Sequence, residues 1–188
     1  MGEKEENMSW EWTLLYGLQR IHQPWLDRLM VFITHFATGG AFWICLGLLF
    51  LFWKKSRKMG LCILLALAMT YLFGNLILKN LFQRMRPYWI DPSVQILVAP
   101  LRDYSFPSGH TMASFASAQA LYLNKPAWGL GAFVLAGFIA FSRLYLFVHF
   151  PTDVLGGILV GLACGYMGKQ LLDKISQKKK DQGFFSSL

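Results

Sequence analysis

The sequence predicts an all-α fold, a polytopic bundle of transmembrane helices, and three observations carry that prediction. Hydrophobic residues make up 55% of the chain and charged residues 15%, where a soluble domain carries about a quarter charged. Mean hydropathy is +0.40, and several apolar runs approach the ~20 residues that cross a bilayer as helix. Short Lys/Arg-rich runs flank those stretches, as topology signals do. Helix follows from the solvent, because in lipid a helix satisfies its own backbone polar groups. A single membrane-embedded domain over 1–188 is expected.

Read in order, the first nine residues are polar and "MGEKEEN" is net acidic, which does not read as a cleavable signal peptide. Residues 10–35 have apolar residues at helical spacing, interrupted by Arg20, His22, Gln23, Pro24, Asp27 and Arg28. That pattern predicts an amphipathic interfacial segment, with Trp10, Trp12 and Trp25 at headgroup level. The helical bundle proper covers 36–172. Its spans are expected near 36–53, 59–78, 106–123, 126–147 and 151–172, with a polar loop at about 84–105. A basic tail, 173–188, follows. Five full spans result, or six if 10–35 also crosses.

Orientation follows from the cations. Lys54, Lys55, Arg57, Lys58, Lys125 and the lysines at 174, 178, 179 and 180 predict a cytoplasmic side and a cytoplasmic C-terminus. Strict alternation then places Lys79, Arg84, Arg86, Arg102 and Arg143 outside, against the positive-inside rule. A rule broken only there points to function. The formal charge of +8 would suit nucleic acid, but no basic, aromatic-interleaved patch stands on a polar domain, so that partner is excluded. Cys45, Cys62 and Cys164 all lie in apolar runs without ligand spacing and read as small packing residues.

Three polar clusters remain. In "KNLFQRMRP", Lys79 and Arg86 are expected to share one face at the end of a helix that Pro87 stops; alone, they read equally as cations snorkelling to headgroups. In "PSGH", Pro107 and Ser108 suit a first helical turn, and Gly109 allows a close backbone approach. The free N–H groups there favour an anion. The bland alternative is an ordinary cap with an incidental His110. In "SRLYLFVHFPTD", Pro151 begins a helix, putting Asp153 in its first turn and His149 just before it. A carboxylate–imidazole hydrogen bond would then fix the tautomer and free the other ring nitrogen as nucleophile; the alternative is a capping Asp and a surface His. Alternation puts all three clusters on one side of the membrane, and together they fit a phosphate ester.

Lys79-x6-Arg86-Pro87, Pro107-Ser108-Gly109-His110 and Ser142-Arg143-x5-His149-x3-Asp153 resemble the three-part signature of the type 2 phosphatidic acid phosphatase family. That family also holds glucose-6-phosphatase-like and vanadium haloperoxidase-like proteins. All three parts occur in order from Lys79 to Asp153. The resemblance implies that His149 would attack phosphorus and become a phosphohistidine, with Asp153 orienting it. His110 would protonate the leaving group and then help activate water. Lys79, Arg86, Ser108, Gly109 (through its N–H) and Arg143 would hold the phosphoryl group. No metal and no cofactor are implied, and Asp91 and Asp103, twelve residues apart, read as turn caps.

The expected partners are the lipid phosphate substrate and surrounding membrane lipids. Gly157, Gly161 and Gly165, with Gly156 and Gly168 beside them, let helices approach closely, either within the bundle or in a homodimer through this last helix. The expected function is a metal-independent lipid phosphate or pyrophosphate phosphatase in the cell membrane, its site extracytoplasmic. Undecaprenyl pyrophosphate, phosphatidic acid, diacylglycerol pyrophosphate and phosphatidylglycerophosphate are candidate substrates. Small size and the "LDRLMVFIT" segment resemble bacterial undecaprenyl-pyrophosphatase-type members. The rivals are a phosphatase of a soluble ester and a non-catalytic transporter or scaffold.

Overall fold

Apolar stretches longer than a bilayer is thick become long helices here. The computed structural model describes residues 9–185; the acidic start, 1–8, and the last three residues of the tail lie outside it. Helices α1 (Trp10–Gln19), α2 (Pro24–His35), α3 (Ala41–Leu51) and α4 (Arg57–Met69) lead into a wide π-type segment, Thr70–Leu78. Short helices α5 (Lys79–Phe82) and α6 (Pro87–Ile90) follow, then α7 (Gly109–Tyr122), α8 (Pro126–Tyr145) and α9 (Pro151–Phe185). No strand occurs among the described residues.

Among the described residues, three stretches are long and apolar enough to cross a membrane: 57–90, 126–145 and 151–178. A fourth forms if α2 and the 38–51 stretch are one span bent by 41°. The bend has a local cause, since Gly39 and Gly40 sit at φ 60° and 70°, a region glycine enters at little cost. The boundary expected at residue 36 therefore falls at a kink. Helix α7 also starts later than expected and is fourteen residues long, about 21 Å. Residues 105–108 belong to the turn before it. The helix lies enclosed among its neighbours, with Thr111, Ser114, Ala116, Ser117, Ala118 and Ala120 all buried.

The glycines of α9 explain that enclosure. A Cβ on Gly161 would stand 2.7 Å from the Met112 carbonyl oxygen, and one on Gly165 would stand 2.6 Å from that of Ala116. Gly157 meets the Ser108 carbonyl in the same way, at 2.9 Å. Gly157, Gly161 and Gly165 are thus packed on α7 and its first turn in the same chain, the within-bundle use, and Gly168 packs on Ala66 of α4. Cys62 and Cys164 are buried in this core and Cys45 is exposed.

Two ends are distinguished by charge. At one, Lys58 pairs with Asp173 at 2.6 Å, Lys169 bonds the same carboxylate, and Lys125 lies over the Trp128 ring. About 30 Å away along α9, the starts of α7 and α9 meet the end of α8. Helix α1 covers that second end: Leu15 is fully buried, and Trp12 packs edge-on against Phe150 at 5.1 Å.

Close packing of α7 on α9 makes Gly161→Ala destabilising by about 1–3 kcal/mol, the usual cost of overpacking. A Cβ added to Gly137 on α8 would meet nothing within 4 Å, so Gly137→Ala should be neutral or slightly stabilising. Thermal unfolding of the two variants in detergent checks the contrast.

Candidate active site

The five-residue turn between α8 and α9 holds His149. Its backbone is pinned by the Leu146 N–H to the Ser142 carbonyl and the Val148 N–H to that of Arg143. Phe147, at φ 57°, is held in that strained conformation by burial against Tyr16 and Trp12. Pro151 then starts α9 and Asp153 lies in its first turn.

His149 and Asp153 are both fully buried, and Nδ1 is 3.7 Å from Oδ2, too long for a hydrogen bond. Ser105 fills the gap. Its Oγ lies 3.3 Å from His149 Nδ1 and donates to Asp153 Oδ2 at 2.5 Å. Nδ1–H therefore donates to Ser105, and the lone pair is left on Nε2, where it accepts from Arg86 Nη1 at 3.1 Å. Burial first, then the Arg86 and Arg143 guanidiniums, hold the imidazole well below the usual histidine range, so the ring is neutral. Asp153 accepts further from the Phe150 N–H at 2.8 Å and from Arg84 at 2.8 Å. Arg84 in turn donates to Glu11 at 2.6 Å, and Glu11 accepts from the Thr152 hydroxyl. The N-terminal helix is thereby tied to the carboxylate behind His149.

Lys79 and Arg86 converge on one partner. Helix α5 ends at Phe82, Gln83 turns back at φ 45°, and Arg86 lies in extended chain before α6. Asp103 bridges them, accepting from Lys79 Nζ at 2.7 Å and from Arg86 Nη2 at 2.8 Å. Burial alone would raise the Asp103 carboxyl, but the two cations outweigh it and hold the group below the usual carboxylate range.

Arg143, 2% exposed, donates to the Thr34 hydroxyl on α2, and its Nε has no hydrogen-bond partner among the described residues. Ser108 is buried; its N–H donates to the Asp153 carbonyl at 3.0 Å and its Oγ accepts from Thr111. That main-chain bond fastens the start of α7 to the start of α9. Gly109 and His110 begin α7 and border a cavity of about 580 Å³ with Asp103 and Asn75, its other walls coming from the bend between α2 and α3, from α4 and the π-type segment, and from α7. Among the described residues no three His, Cys, Asp or Glu side chains could hold a metal ion together.

The sequence pattern of the PAP2 superfamily matches residues 59–176, well over half the chain. This chain belongs to that superfamily. It is 30% identical over 180 residues to the undecaprenyl-diphosphatase of Sulfolobus acidocaldarius, covering 95% of this chain and 86% of that one. The crystal structure of a transmembrane PAP2-type phosphatidylglycerolphosphate phosphatase from Bacillus subtilis superposes with a TM-score of 0.70 at 32% identity, over 87% of this chain and 84% of that one. Aquifex aeolicus LpxE superposes at 0.72, also at 32% identity, over 88% of this chain and 98% of that one. As a PAP2 lipid phosphatase the chain is an enzyme and a multi-pass membrane protein, which removes the transporter and scaffold rivals.

All eight residues expected in the PAP2 site lie at one end of the bundle. Three expectations about how they meet need correction. Lys79 and Arg86 do not share a helix: the chain turns at Gln83, and Pro87 opens α6 rather than stopping α5. His149 and Asp153 do not touch, because Ser105 stands between them. Asp103 does not cap a turn but bridges two cations, whereas Asp91 does make a turn bond to the Ser93 N–H. Sequence reading also missed Ser105, Arg84, Glu11 and Thr34. Arg84 carried a signal, being one of the cations on the unexpected side.

Removing the bridge should uncouple His149 from Asp153. Ser105→Ala is expected to lower kcat about tenfold with little change in KM, and Ser105→Thr to restore part of it. In ¹⁵N spectra, the His149 ring should stay neutral and Nδ1-protonated as pH falls through ~6.5; a ring that protonates there contradicts the assignment.

Proposed function

We propose that this enzyme hydrolyses the terminal phosphate of a lipid phosphate or diphosphate, with His149 as nucleophile and undecaprenyl pyrophosphate as the leading substrate. The observation that carries the reading is the setting of His149. Its neutral, oriented imidazole takes a hydrogen bond at Nε2 from Arg86, one of three buried cations at this end, and His110 lines a cavity there with Asp103 and Asn75. The Sulfolobus relative's name favours the diphosphate; phosphatidylglycerophosphate and phosphatidic acid fit the same chemistry.

In the first step the Nε2 lone pair forms a bond to phosphorus and the phosphorus–oxygen bond to the lipid breaks. Burial and the nearby Arg143 and Arg86 disfavour a charged His110 before substrate binds; with the phosphate's negative charge offsetting those cations, His110 carries the proton that it gives to the leaving oxygen. Charge that develops on the phosphoryl oxygens is met by Lys79, Arg86 and Arg143, by the Ser108 hydroxyl and by the Gly109 N–H at the α7 start. As the imidazole gains positive character, the Nδ1–H···Ser105···Asp153 chain stabilises it, with every proton staying on its own atom. Water then attacks phosphorus, His110 takes its proton, and the P–N bond breaks to free inorganic phosphate. None of these steps uses a metal.

The 580 Å³ cavity, with Ile44, Leu64, Leu67 and Met112 in its walls, supports a lipid over a soluble ester: it offers apolar room for the start of a chain whose headgroup lies by His110. The Lys-rich end by Lys58 and Lys125 supports an extracytoplasmic site, since cations mark the cytoplasmic side.

Phosphate release by purified protein with EDTA present tests the reading. Undecaprenyl pyrophosphate should turn over, and glucose 6-phosphate poorly. His149→Ala should cost at least ~10³-fold, and acid-labile, base-stable ³²P should appear on wild type alone. His110→Ala should damage alkyl phosphates more than activated aryl phosphates; equal loss on both removes its acid role. Arg143→Lys should cost roughly 10-fold or more, because Nε and the Nη groups present a planar fork that an ammonium cannot.

A further inference from the structure

Resting on the phosphatase reading above, we propose that Asp103 is an internal anion that competes with the phosphoryl group for Lys79 and Arg86. It leaves them as substrate binds and returns as phosphate departs.

The geometry is that of a substitute ligand. One carboxylate places Oδ2 2.7 Å from Lys79 Nζ and Oδ1 2.8 Å from Arg86 Nη2, as two oxygens of one phosphoryl group would. Arg86 has no donor to spare. Its Nε bonds the Asp103 carbonyl at 2.7 Å, and Nη1 bonds the Val148 carbonyl at 2.9 Å and His149 at 3.1 Å. Nη2 bonds Asp103 Oδ1 at 2.8 Å and the Tyr104 carbonyl at 3.3 Å. The carbonyls are fixed chain and the Nη1 donor facing His149 is released only as Nε2 attacks phosphorus, so before attack a phosphoryl oxygen gains Arg86 by replacing the Asp103 carboxylate.

Asp103 is also the partner able to move. Lys79 and Arg86 are 4% and 1% exposed, while the Asp103 side chain is 56% exposed and borders the cavity beside His110. It lies outside any helix, between α6 and α7. Two buried cations without an anion are costly, so the carboxylate offsets half of their charge between turnovers. Its return weakens the hold on product, because a ligand's apparent affinity falls with the fraction of its site that is free. A fixed strut that merely aims Lys79 and Arg86 would have the opposite effect: removing it would loosen phosphate.

The sign of one change decides. Affinities of inorganic phosphate and orthovanadate are measured on the purified full chain by calorimetry and as inhibition constants, for wild type, Asp103→Asn and Asp103→Ser. Tighter binding by at least about fivefold in either folded variant is expected. Unchanged or weaker binding overturns the proposal, as does failure of both variants to fold, which would make Asp103 a strut. Turnover by wild type and its loss in His149→Ala report on the phosphatase reading separately, since the calorimetric comparison stands without turnover.

Discussion

Three buried cations in one place set the terms for the rest of this structure. Lys79, Arg86 and Arg143 are 4%, 1% and 2% exposed, at the end of a bundle whose sides are apolar. Charges removed from water are tolerable only when their hydrogen bonds are replaced and their field is answered. The chain supplies both for Lys79 and Arg86, while Arg143 keeps an Nε without a partner among the described residues. Carbonyls of Asp103, Tyr104 and Val148 take the donors of Lys79 and Arg86, and carboxylates stand close by. Stretches of irregular backbone, which lipid would not tolerate, are used for this because they line the site and are shielded by helices.

Holding that backbone still is the task of the small residues. With α9 glycines against carbonyls of α7, the two helices approach closely enough for the Ser108 N–H to reach the Asp153 carbonyl. Two motifs separated by 45 residues in sequence therefore share one main-chain bond. The turn before α7 and the first turn of α9 are thereby fastened to each other. The π-type segment before Lys79 has a related effect: Gly74 lets the Met112 side chain fit against its backbone, so the chain leading to Lys79 packs directly on α7.

Much of this was legible in the sequence, and what was not has a common physical reason. Long apolar runs, Pro151 at a helix start and the three motifs are local or strongly patterned signals, and they marked the bundle and eight candidate residues that the fold gathers at one end. Ser105, Glu11 and Thr34 act through tertiary contacts alone, and nothing in their neighbours marks them. Two of the polar residues that made 10–35 ambiguous, His22 and Asp27, make tertiary contacts, as does Gln19. His22 stacks on Tyr145 at 4.1 Å, Gln19 donates to the Tyr145 carbonyl, and the Tyr145 hydroxyl donates to Asp27. They interrupt an apolar pattern because they fasten the N-terminal helices to the end of α8. Asp103 was misread for a different reason: a turn cap and a charge bridge need the same residue type in the same kind of loop.

Counting charge at the site gives the arrangement its logic. Lys79, Arg84, Arg86 and Arg143 face Glu11, Asp103 and Asp153, with His149 neutral, so the ensemble carries one net positive charge. Two of those carboxylates are fixed: Asp153 by Ser105 and the Phe150 N–H, and Glu11 by Arg84 and Thr152. Asp103 is the exposed one. With it turned away the excess becomes two, which is the charge of a phosphate monoester dianion. Electroneutrality in a poorly solvated site would then favour one dianion in the cradle over one carboxylate, and favour the carboxylate again once the phosphate has gone.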